Sequence, residues 1–583
     1  MDAGVDTRSS AGAGDEPSGW LEIEEASPFT GKKTAAAAAG VRRWSSVVNA
    51  TLVVLIMTAP PLLVLLGGGL GAPAVWIKST VAGIGSQSQR VAEPSKKDDV
   101  LLGGLLVPGF DEQACASRYQ AAYYYHKSMA RRPSPYLVKR LREQEALQRR
   151  CGPGTEPYAR ASERLRSGQT TTDAGDGDAD GCSYLVLISY RGLGNRMLAM
   201  ASAFLYALLT GRALLVDPGY GNTLADLFCE PFPGATWALP ADFPLAGFKE
   251  LGEDAPESYG NVAVNRTGSV AGLAFVYLHL DHAASPASRL VYCDDHRQFL
   301  HRVQWAVLRT DQYMAPGLFF NPAYQEELGR LFPRKDSVFH LLSRYLLHPT
   351  NAIWGMVTRY YNSYLRNADE RLGIQIRVFD NSRKPFQSVL DQVLACASQE
   401  HLLPAVATTT APPALPAAGA RSVAVLVTGL NSWYQESIRE MYWTSATAGG
   451  AVVSVHQPSH EEYQIWFYSK HDMKALAEIY LLSLTDRIVT SGWSTFGYVA
   501  HGLAGHTPWV MFRTMNYSEP APDPPCTRAM SMEPCSHGAP SFECTRKEID
   551  RIIDTGVLLP HVRHCEDISW GLKLTDPAVE NKV

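Results

Sequence analysis

Strands and helices alternate in the C-terminal half of the chain, and this alternation constrains the fold more than any other feature of the sequence. From residue 371 to residue 515, short β-branched and aliphatic runs are followed by longer segments of helical periodicity. Such strands pair in parallel, because each helix carries the chain back across a face of the sheet. The predicted strands are 372–380, 423–428, 452–456, 487–490 and 509–512, and the predicted helices are 386–400, 434–443, 473–484 and 495–503.

A second α/β region lies earlier in the chain. Its predicted elements are a helix at 136–149, a strand at 184–189, a glycine-rich turn, a helix to residue 209 and a strand at 213–216. Ligands of parallel sheets bind at the carboxyl ends of the strands, so a cleft between two lobes is the expected site. We expect an N-terminal lobe at 101–370, a second lobe at 371–515 and a cysteine-containing C-terminal segment at 516–583 that packs on the lobes.

One apolar stretch near the N-terminus is long enough to cross a bilayer. Residues 44–77 contain no charged side chain, and a transmembrane helix needs about 20 apolar residues. Basic residues are more numerous before the stretch than after it, which predicts a disordered cytosolic tail at 1–43, a stem at 78–100 and a lumenal C-terminal part. Ala72-Pro73-Ala74 resembles a signal-peptidase site, and cleavage there would instead give a secreted protein.

Cysteine usage and charge restrict the compartment and the partners. All ten cysteines follow the apolar stretch, and their even number suits disulfide bonds in an oxidising lumen. Four of them, Cys526, Cys535, Cys544 and Cys565, can pair among themselves in three ways. Asn265 and Asn516 begin sequons for glycosylation. The net charge of −5 offers no basic surface for nucleic acid.

Two strand-to-helix turns have the composition of an anion site. In segment 189–196, SYRGLGNR, glycines let backbone N–H groups approach a ligand at the positive end of a helix, and Asn195 and Arg196 follow at once. The alternative is a tight turn whose glycines only permit positive φ. In segment 490–498, TSGWSTFGY, the hydroxyl of Ser494 or Thr495 either caps the helix or holds a phosphate. Neither segment has the GxGxxG spacing of nicotinamide or flavin sites.

Arg377 is predicted near the end of a strand, at 374–379. A guanidinium at the carboxyl edge of a sheet can clamp a pyrophosphate through two parallel hydrogen bonds. The alternative is a salt bridge with Asp369 or Asp380.

Other polar residues are weaker candidates. Asp311 and the segment Asp294-Asp295-His296 could supply a general base, which must come within hydrogen-bond distance of a hydroxyl. The Asp-x-Asp pattern in 176–180 can hold a divalent cation, but its glycine-rich surroundings favour a solvated loop. His456, His501 and the histidines of 561–564 have no spacing typical of metal ligands, so no metal site is predicted.

Taken together, eight segments resemble the plant xyloglucan fucosyltransferase family, glycosyltransferase family 37. They include LGGLL and GFDE in 102–112, CGPGTE at 151–156, GLGNR at 192–196, DLFCEPF at 226–232, GIQIRVF at 373–379, KALAE at 474–478, WSTFGYV at 493–499 and PHVRHCED at 560–567. The resemblance extends over roughly residues 101–575.

The resemblance implies a two-lobed variant of the GT-B architecture in a type II Golgi membrane protein with a lumenal catalytic domain. It implies an inverting transfer of L-fucose from GDP-fucose to a polysaccharide or glycoprotein glycan, without a metal or other cofactor. Lobe 101–370 would serve the acceptor and lobe 371–515 the donor. Arg377 would neutralise the leaving pyrophosphate, and Asp311 would act as the base. The residues implied to line the GDP pocket are Ser494, Thr495, Phe496 and Tyr498, faced by Gly194, Asn195 and Arg196 from the other lobe.

The sequence leaves two properties open: the identity of the acceptor, and the oligomeric state, for which homo-oligomers are one candidate. Galactose of xyloglucan, fucosylated in an α-1,2 linkage, is the first expectation, and arabinose of arabinogalactan proteins is an alternative that the sequence does not separate from it. A catalytically silent glycan-binding paralogue is a third reading, which the presence of Arg377 and of the 493–498 turn disfavours. A secreted carbohydrate-binding protein or a hydrolase is a fourth, and no convincing pair of catalytic carboxylates supports hydrolysis.

Overall fold

The described part of the chain begins at residue 101. The computed structural model describes residues 101–577 apart from 126–130, 169–180, 220–222, 266–272, 293–299, 301, 381, 383, 408–418, 466–467, 515 and 539–558. The predicted tail, membrane span and stem therefore lie outside the described residues. The same holds for the Asp-x-Asp segment, for Asp294-Asp295-His296 and for most of residues 405–420, an alanine-, proline- and threonine-rich stretch whose composition predicts a surface loop.

The first sheet is parallel and has four strands. They are β1 (Tyr184–Ile188), β2 (Ala213–Val216), β3 (Phe275–His279) and β4 (Trp305–Arg309), in the order β2-β1-β4-β3. The predicted strand at 213–216 has the observed bounds, and the predicted helix between β1 and β2 is present as Leu193–Thr210. The carboxyl ends of β1, β3 and β4 therefore lie along one edge of the sheet.

The second sheet has six strands and is parallel except at one edge. They are β5 (Glu370–Gln375), β6 (Ser422–Thr428), β7 (Val452–His456), β8 (Arg487–Ser491), β9 (Trp509–Met511) and β10 (Cys526–Arg528), in the order β10-β9-β8-β5-β6-β7. Only β10 runs antiparallel to its neighbour among these strands. The predicted α/β fold with parallel sheets is confirmed. A two-stranded hairpin, β11 (Val562–His564) with β12 (Leu572–Leu574), follows near the C-terminus.

Helices connect most of these strands. The helices that precede β5 are Ala116–Tyr124, Pro135–Cys151, Glu156–Arg166, Leu193–Thr210, Thr223–Leu227, Tyr259–Asn265, Pro286–Arg289, Ala315–Leu318, Pro322–Leu331, Val338–Leu346 and Asn351–Tyr360. Those that follow β5 are Gln387–Gln399, Trp433–Thr444, Ser469–Ser483 and Thr495–Ala504. Their starts have local causes: Ser134, for example, accepts a hydrogen bond from the N–H of Leu137, 2.9 Å away, and Pro135 follows it.

The two sheets share a layer of helices. Leu185 of β1 and Ala424 of β6 belong to one hydrophobic cluster, whereas their neighbours Val186 and Val425 belong to two others, as expected when side chains alternate between the faces of a strand. The shared cluster includes side chains of the helices Leu193–Thr210, Val338–Leu346, Ser469–Ser483 and Thr495–Ala504. Both faces of each sheet are covered, which explains the continuous hydrophobic runs of the strands.

The helix Leu193–Thr210 is apolar and long enough to cross a membrane, and within the described residues it is the single helix of that kind. Its side chains are almost all buried in the shared cluster. It is therefore a core helix, and the predicted span at 44–77 is a separate stretch of sequence.

Disulfide bonds fix several elements to one another. The described residues form the pairs Cys115–Cys229, Cys151–Cys182, Cys396–Cys526 and Cys535–Cys565. The expectation that the four late cysteines pair among themselves is wrong for Cys526, because β10 lies beside β9 and its cysteine reaches the helix Gln387–Gln399 instead.

Candidate active site

Each sheet carries one strand-to-helix turn with a left-handed residue just before the helix cap. Arg191 has a φ of 69° and precedes Gly192, the N-cap of the helix Leu193–Thr210. Trp493 has a φ of 62° and precedes Ser494, the N-cap of the helix Thr495–Ala504. This conformation costs a residue other than glycine about 1–3 kcal/mol, so the surrounding structure must hold it in place. The two turns thus share a geometry that local propensity does not explain.

Of the two glycines of the first turn, Gly194 is required by close packing. Gly192 has a φ of −66°, and Gly194 lies within the helix, so the alternative that they only permit positive φ is wrong. A Cβ on Gly194 would lie 2.7 Å from both the carbonyl carbon and Oγ1 of Thr495. Because a side chain does not fit in that space, glycine lets the two turns come into contact.

One hydrogen bond connects the two turns, and further polar contacts hold the first turn against neighbouring segments. Oγ1 of Thr495 donates to Oδ1 of Asn195 at 3.0 Å, and Nδ2 of Asn195 donates to the main-chain carbonyl of Asp311 at 3.1 Å. Nη2 of Arg196 lies 2.6 Å from Oδ2 of Asp472, so this guanidinium is neutralised by the opposite side of the cleft. The predicted residues 194–196 and Thr495 are therefore in one place, and Arg196 acts there as a bridge.

A cleft opens beside the first turn. The space between its walls is continuous with the solvent. Both predicted lobes contribute to its wall, which consists of Ser189, Tyr190, Arg191, Gly192, Arg196, Gly219, Thr223, Gln464, Ile465 and Asp472.

Arg377 lies beyond the strand on which it was predicted. Strand β5 ends at Gln375, whose pairing with Thr490 of β8 is the last between the two strands. Beyond it, the main chain bonds a side chain of β8 and no longer continues the pairing. The N–H of Arg377 donates to the side-chain hydroxyl of Ser491 at 2.9 Å, which holds the residue at the carboxyl edge, beside the second turn. The predicted strand end at 374–379 is thus wrong, although the position at the sheet edge is as expected.

The guanidinium of Arg377 has no carboxylate partner among the described residues. Asp369 accepts hydrogen bonds from Ser422, and Asp380 accepts one from the N–H of Ser382, so neither forms the alternative salt bridge. Burial lowers the pKa of Arg377. The protein alone therefore disfavours the charged form of this guanidinium. An anionic ligand would remove this penalty.

A second arginine, which the sequence analysis missed, lies next to Arg377. The guanidinium carbon of Arg513 is 3.9 Å from the ring centroid of Trp493 and 4.8 Å from that of Phe379, and the guanidinium carbon of Arg377 is 5.2 Å from the Phe379 centroid. Nε of Arg513 is buried without a hydrogen-bond partner in the described part of the chain. Arg513 follows β9 as Arg377 follows β5, and this shared position at the carboxyl edge was the available signal.

The left-handed conformation of Trp493 is held by the C-terminal segment. The N–H of Trp493 donates to Oδ2 of Asp567, and its indole N–H donates to the main-chain carbonyl of the same residue, both at 2.8 Å. The hydroxyl of Tyr498 also donates to Asp567. The disulfide Cys535–Cys565 ends two residues before Asp567 and fixes this segment.

The four residues predicted on the second turn therefore differ in position. Thr495 and Phe496 are partly exposed at the start of the helix, whereas Ser494 and Tyr498 are buried. Ser494 occupies the N-cap position without a side-chain hydrogen bond to the helix. Tyr498 bonds to Asp567, which holds the turn in place. Its buried ring therefore supports the turn and does not line the pocket.

Replacing Asp567 with alanine is expected to destabilise the protein by about 1–3 kcal/mol, because the partly buried N–H of Trp493 and the O–H of the buried Tyr498 would lose their acceptor. The free energy of unfolding in urea measures this change. Tyr498→Phe is the matched control: it keeps both hydrogen bonds of Trp493 and should cost less. Equal losses in the two variants would contradict the view that Asp567 holds the turn.

Asp311 lies at the carboxyl edge of the first sheet, and both of its carboxylate oxygens accept hydrogen bonds. Its Oδ1 accepts from the N–H of His282 at 3.0 Å and from Nε2 of Gln312 at 2.6 Å. Its Oδ2 lies 2.8 Å from Nδ1 of His282 and 3.8 Å from Nε of Arg191. The hydrogen bond to Asp311 raises the pKa of His282 above its usual value.

The remaining histidines of the sequence analysis have structural surroundings. His501 is buried, its Nδ1 bonds the carbonyl of Met532, and burial lowers its pKa to about 3. Burial also lowers the pKa of His456 and lowers that of His561 to about 4. One group of potential metal ligands is found among the described residues, Cys535, Cys565 and Asp567, but its two sulfurs are joined in a disulfide.

Comparisons with known proteins agree with one another. The family described as "Xyloglucan fucosyltransferase" matches residues 77–545. The chain is 50% identical over 484 residues to a galactoside 2-alpha-L-fucosyltransferase of Pisum sativum, with 82% of each chain covered. It is 50% identical over 478 residues to an Arabidopsis thaliana protein of the same name, with 82% of this chain and 83% of the relative covered. A mutant of Arabidopsis thaliana FUT1, solved in complex with GDP, is 49% identical with a TM-score of 0.75, and the match covers 82% of this chain and 100% of that one.

Proposed function

The chain belongs to the xyloglucan fucosyltransferase family, and from this premise we propose that it transfers L-fucose from GDP-fucose to galactose residues of xyloglucan. The chain is a fucosyltransferase, given its identity to the galactoside 2-alpha-L-fucosyltransferases over most of its length. The proposed product is an α-1,2-fucoside, formed with inversion at C1 of GDP-β-L-fucose. The complex of the similar Arabidopsis protein with GDP supports this donor.

The observation that carries the proposal is the pair of guanidinium groups at the edge of the second sheet. In the described residues, Arg377 has no carboxylate partner, and Arg513 lies on Trp493 with its Nε unpaired. A leaving nucleoside diphosphate gains negative charge on its β-phosphate as the bond to the sugar breaks. Cations fixed in place before the reaction stabilise that charge more than they stabilise the neutral sugar ring. Arg377 is the residue proposed to bind this phosphate.

The second turn supports the same placement of the donor. The helix Thr495–Ala504 begins beside Arg377 without a side-chain cap, and its positive end favours an anion. Thr495 and Phe496 are partly exposed at the start of the helix, and Gly194, Asn195 and Arg196 approach them from the other sheet. We assign the GDP-binding role to these residues, with Ser494 and Tyr498 supporting them from within the turn.

A silent paralogue would not need these features. A protein that only holds a neutral glycan gains nothing from two partly buried guanidinium groups, whose desolvation is unfavourable without an anionic ligand. The uncompensated charge therefore favours the enzyme over the binding protein.

GDP binding tests the donor assignment directly. Calorimetric titration of the full-length chain should give tighter binding of GDP than of UDP, and GDP-fucose should compete with GDP for the same site. Equal affinity for the two nucleotides would contradict the proposed donor, because no selection of guanine would remain.

We propose that the transfer needs no metal ion, because two arginines beside the turn can supply the positive charge that a divalent cation provides elsewhere. Transfer in excess EDTA is therefore expected at the same rate as transfer without the chelator. The measurement is the initial rate of fucose incorporation after the enzyme has been dialysed against EDTA. Loss of activity that returns on adding Mg²⁺ or Mn²⁺ would contradict the proposal.

We also propose that the enzyme is a type II protein of the Golgi membrane. The uncharged stretch at 44–77, the basic residues before it and the four disulfides of the described part all fit a lumenal catalytic region. A tag at the N-terminus should remain attached and accessible from the cytosol in intact vesicles. A chain secreted without the tag would show that Ala72-Pro73-Ala74 is cleaved.

A further inference from the structure

The proton acceptor of the reaction can be inferred from the hydrogen bonds around Asp311, on the basis of the proposed fucosyl transfer. The side chain of Asp311 is 5% exposed, and both of its oxygens accept hydrogen bonds within the protein. A buried carboxylate with these partners is poorly placed to meet an acceptor hydroxyl, since a general base must come within hydrogen-bond distance of the proton it removes.

His282 has the complementary properties. Its side chain is 25% exposed, whereas that of Asp311 is nearly covered. Oδ1 of Asp311 already accepts from two N–H groups, so we assign the hydrogen between the two side chains to Nδ1 of His282, which donates it to Oδ2. In the neutral ring, Nε2 then has the lone pair. This is the arrangement in which a carboxylate orients an imidazole for proton transfer.

The location of this pair fits the proposed chemistry. Arg191, whose Nε lies 3.8 Å from Oδ2 of Asp311, forms part of the cleft wall. The main-chain carbonyl of Asp311 is connected through Asn195 to Thr495 at the start of the second turn. His282 and the donor turn are thus linked by a short series of hydrogen bonds.

We propose that His282 is the general base of the transfer and that Asp311 is the residue that positions it. Nε2 of His282 accepts the proton of the acceptor hydroxyl, and the hydroxyl oxygen forms the new bond to C1 of fucose. The bond between C1 and the β-phosphate oxygen breaks at the same time, and its electron pair leaves with GDP.

Charged and titratable groups from three elements face His282. Asp281 and Asp311 favour its cationic form, and Arg191 opposes it. His537 of the C-terminal segment is also close enough to interact, and burial lowers its pKa, which favours its neutral form. The pKa of His282 therefore lies above the usual value of about 6.5. The base form grows as the pH rises, so kcat/KM should rise through that pKa and fall toward acid.

Two variants of His282 separate catalysis from structure. In His282→Asn, the amide N–H can replace Nδ1 and keep the hydrogen bond to Asp311, but no base remains at the position of Nε2. Transfer to xyloglucan by the full-length enzyme should fall by about 10²- to 10⁴-fold in His282→Asn, as in His282→Ala. The acid limb of the pH profile should disappear in both variants, while GDP affinity measured by calorimetry should stay as in the wild type.

Three outcomes would overturn parts of this account. Transfer by His282→Asn near the wild-type rate, with the acid limb intact, would show that His282 only anchors Asp311 and would overturn this proposal alone. Loss of GDP binding in His282→Asn would assign the residue to donor binding instead. A wild-type chain that transfers no fucose would overturn the proposed function and this inference together.

Discussion

Replacing Arg377 with alanine is expected to reduce kcat for fucosyl transfer by about 10³-fold, the size of effect found when a cation that stabilises a leaving phosphate is removed. The reason is local: no carboxylate in the described residues neutralises Arg377, and the helix Thr495–Ala504 begins beside it. GDP affinity should fall as well. The measurements are the steady-state rate with GDP-fucose and a calorimetric titration with GDP.

Two further arginine variants make this test specific. Arg377→Lys keeps the charge but loses the planar fork that binds two phosphate oxygens, so its activity should lie between those of wild type and alanine. Arg421→Ala is the matched control, because Arg421 is exposed and pairs with Glu370 at the amino edge of the same sheet. It should retain full activity. Retention of both transfer and GDP binding in Arg377→Ala would contradict the assignment of the donor phosphate site.

Gly194→Ala is expected to destabilise the protein by about 1–3 kcal/mol, the usual cost of overpacking. The new Cβ would lie 2.7 Å from the backbone of Thr495, so the two turns would have to separate. Separation breaks the hydrogen bond between Thr495 and Asn195, and transfer should fall with it. The free energy of unfolding in urea and the transfer rate measure the two effects.

Gly329→Ala is the control for this substitution. Gly329 lies in the helix Pro322–Leu331, and a Cβ there would meet no atom within 4 Å. Alanine in a helix interior is favoured over glycine by about 0.5–1 kcal/mol, so this variant should be slightly more stable than the wild type. If Gly194→Ala were equally well tolerated, the contact between the turns would not require glycine.

Much of the architecture follows from local sequence patterns. Buried parallel strands have continuous apolar runs, and the helices between them have a 3.6-residue periodicity, so strands β5 to β9, strands β1 and β2 and the two turns are predictable from the sequence. Strands β3 and β4 lie in the less regular middle of the chain and were not predicted. The strand Val452–His456 has the bounds predicted for it. The place of Arg377 shows the limit of such patterns. The N–H of Arg377 donates to a side-chain hydroxyl, that of Ser491, and this partner lies more than a hundred residues away in the sequence.

The parts of the site that sequence analysis missed depend on contacts between distant segments. Asp567 reaches Trp493 because a hairpin and a disulfide bring the C-terminal segment to the second turn. Cys526 pairs with Cys396 because β10 adds to the edge of the sheet. His282 has no motif of its own, and its partnership with Asp311 arises from the adjacent carboxyl ends of β3 and β4.

The measurement that most directly tests the central claim is product analysis after incubation of the purified full-length chain with GDP-fucose and two acceptors, galactosylated xyloglucan and arabinogalactan protein. We predict that fucose is added to xyloglucan galactose in an α-1,2 linkage, identified by mass spectrometry and by release with a linkage-specific fucosidase. Transfer to arabinogalactan arabinose alone would contradict the proposed acceptor. Transfer to neither acceptor, in a chain that does not bind GDP, would contradict the account of this cleft as a fucosyltransferase site.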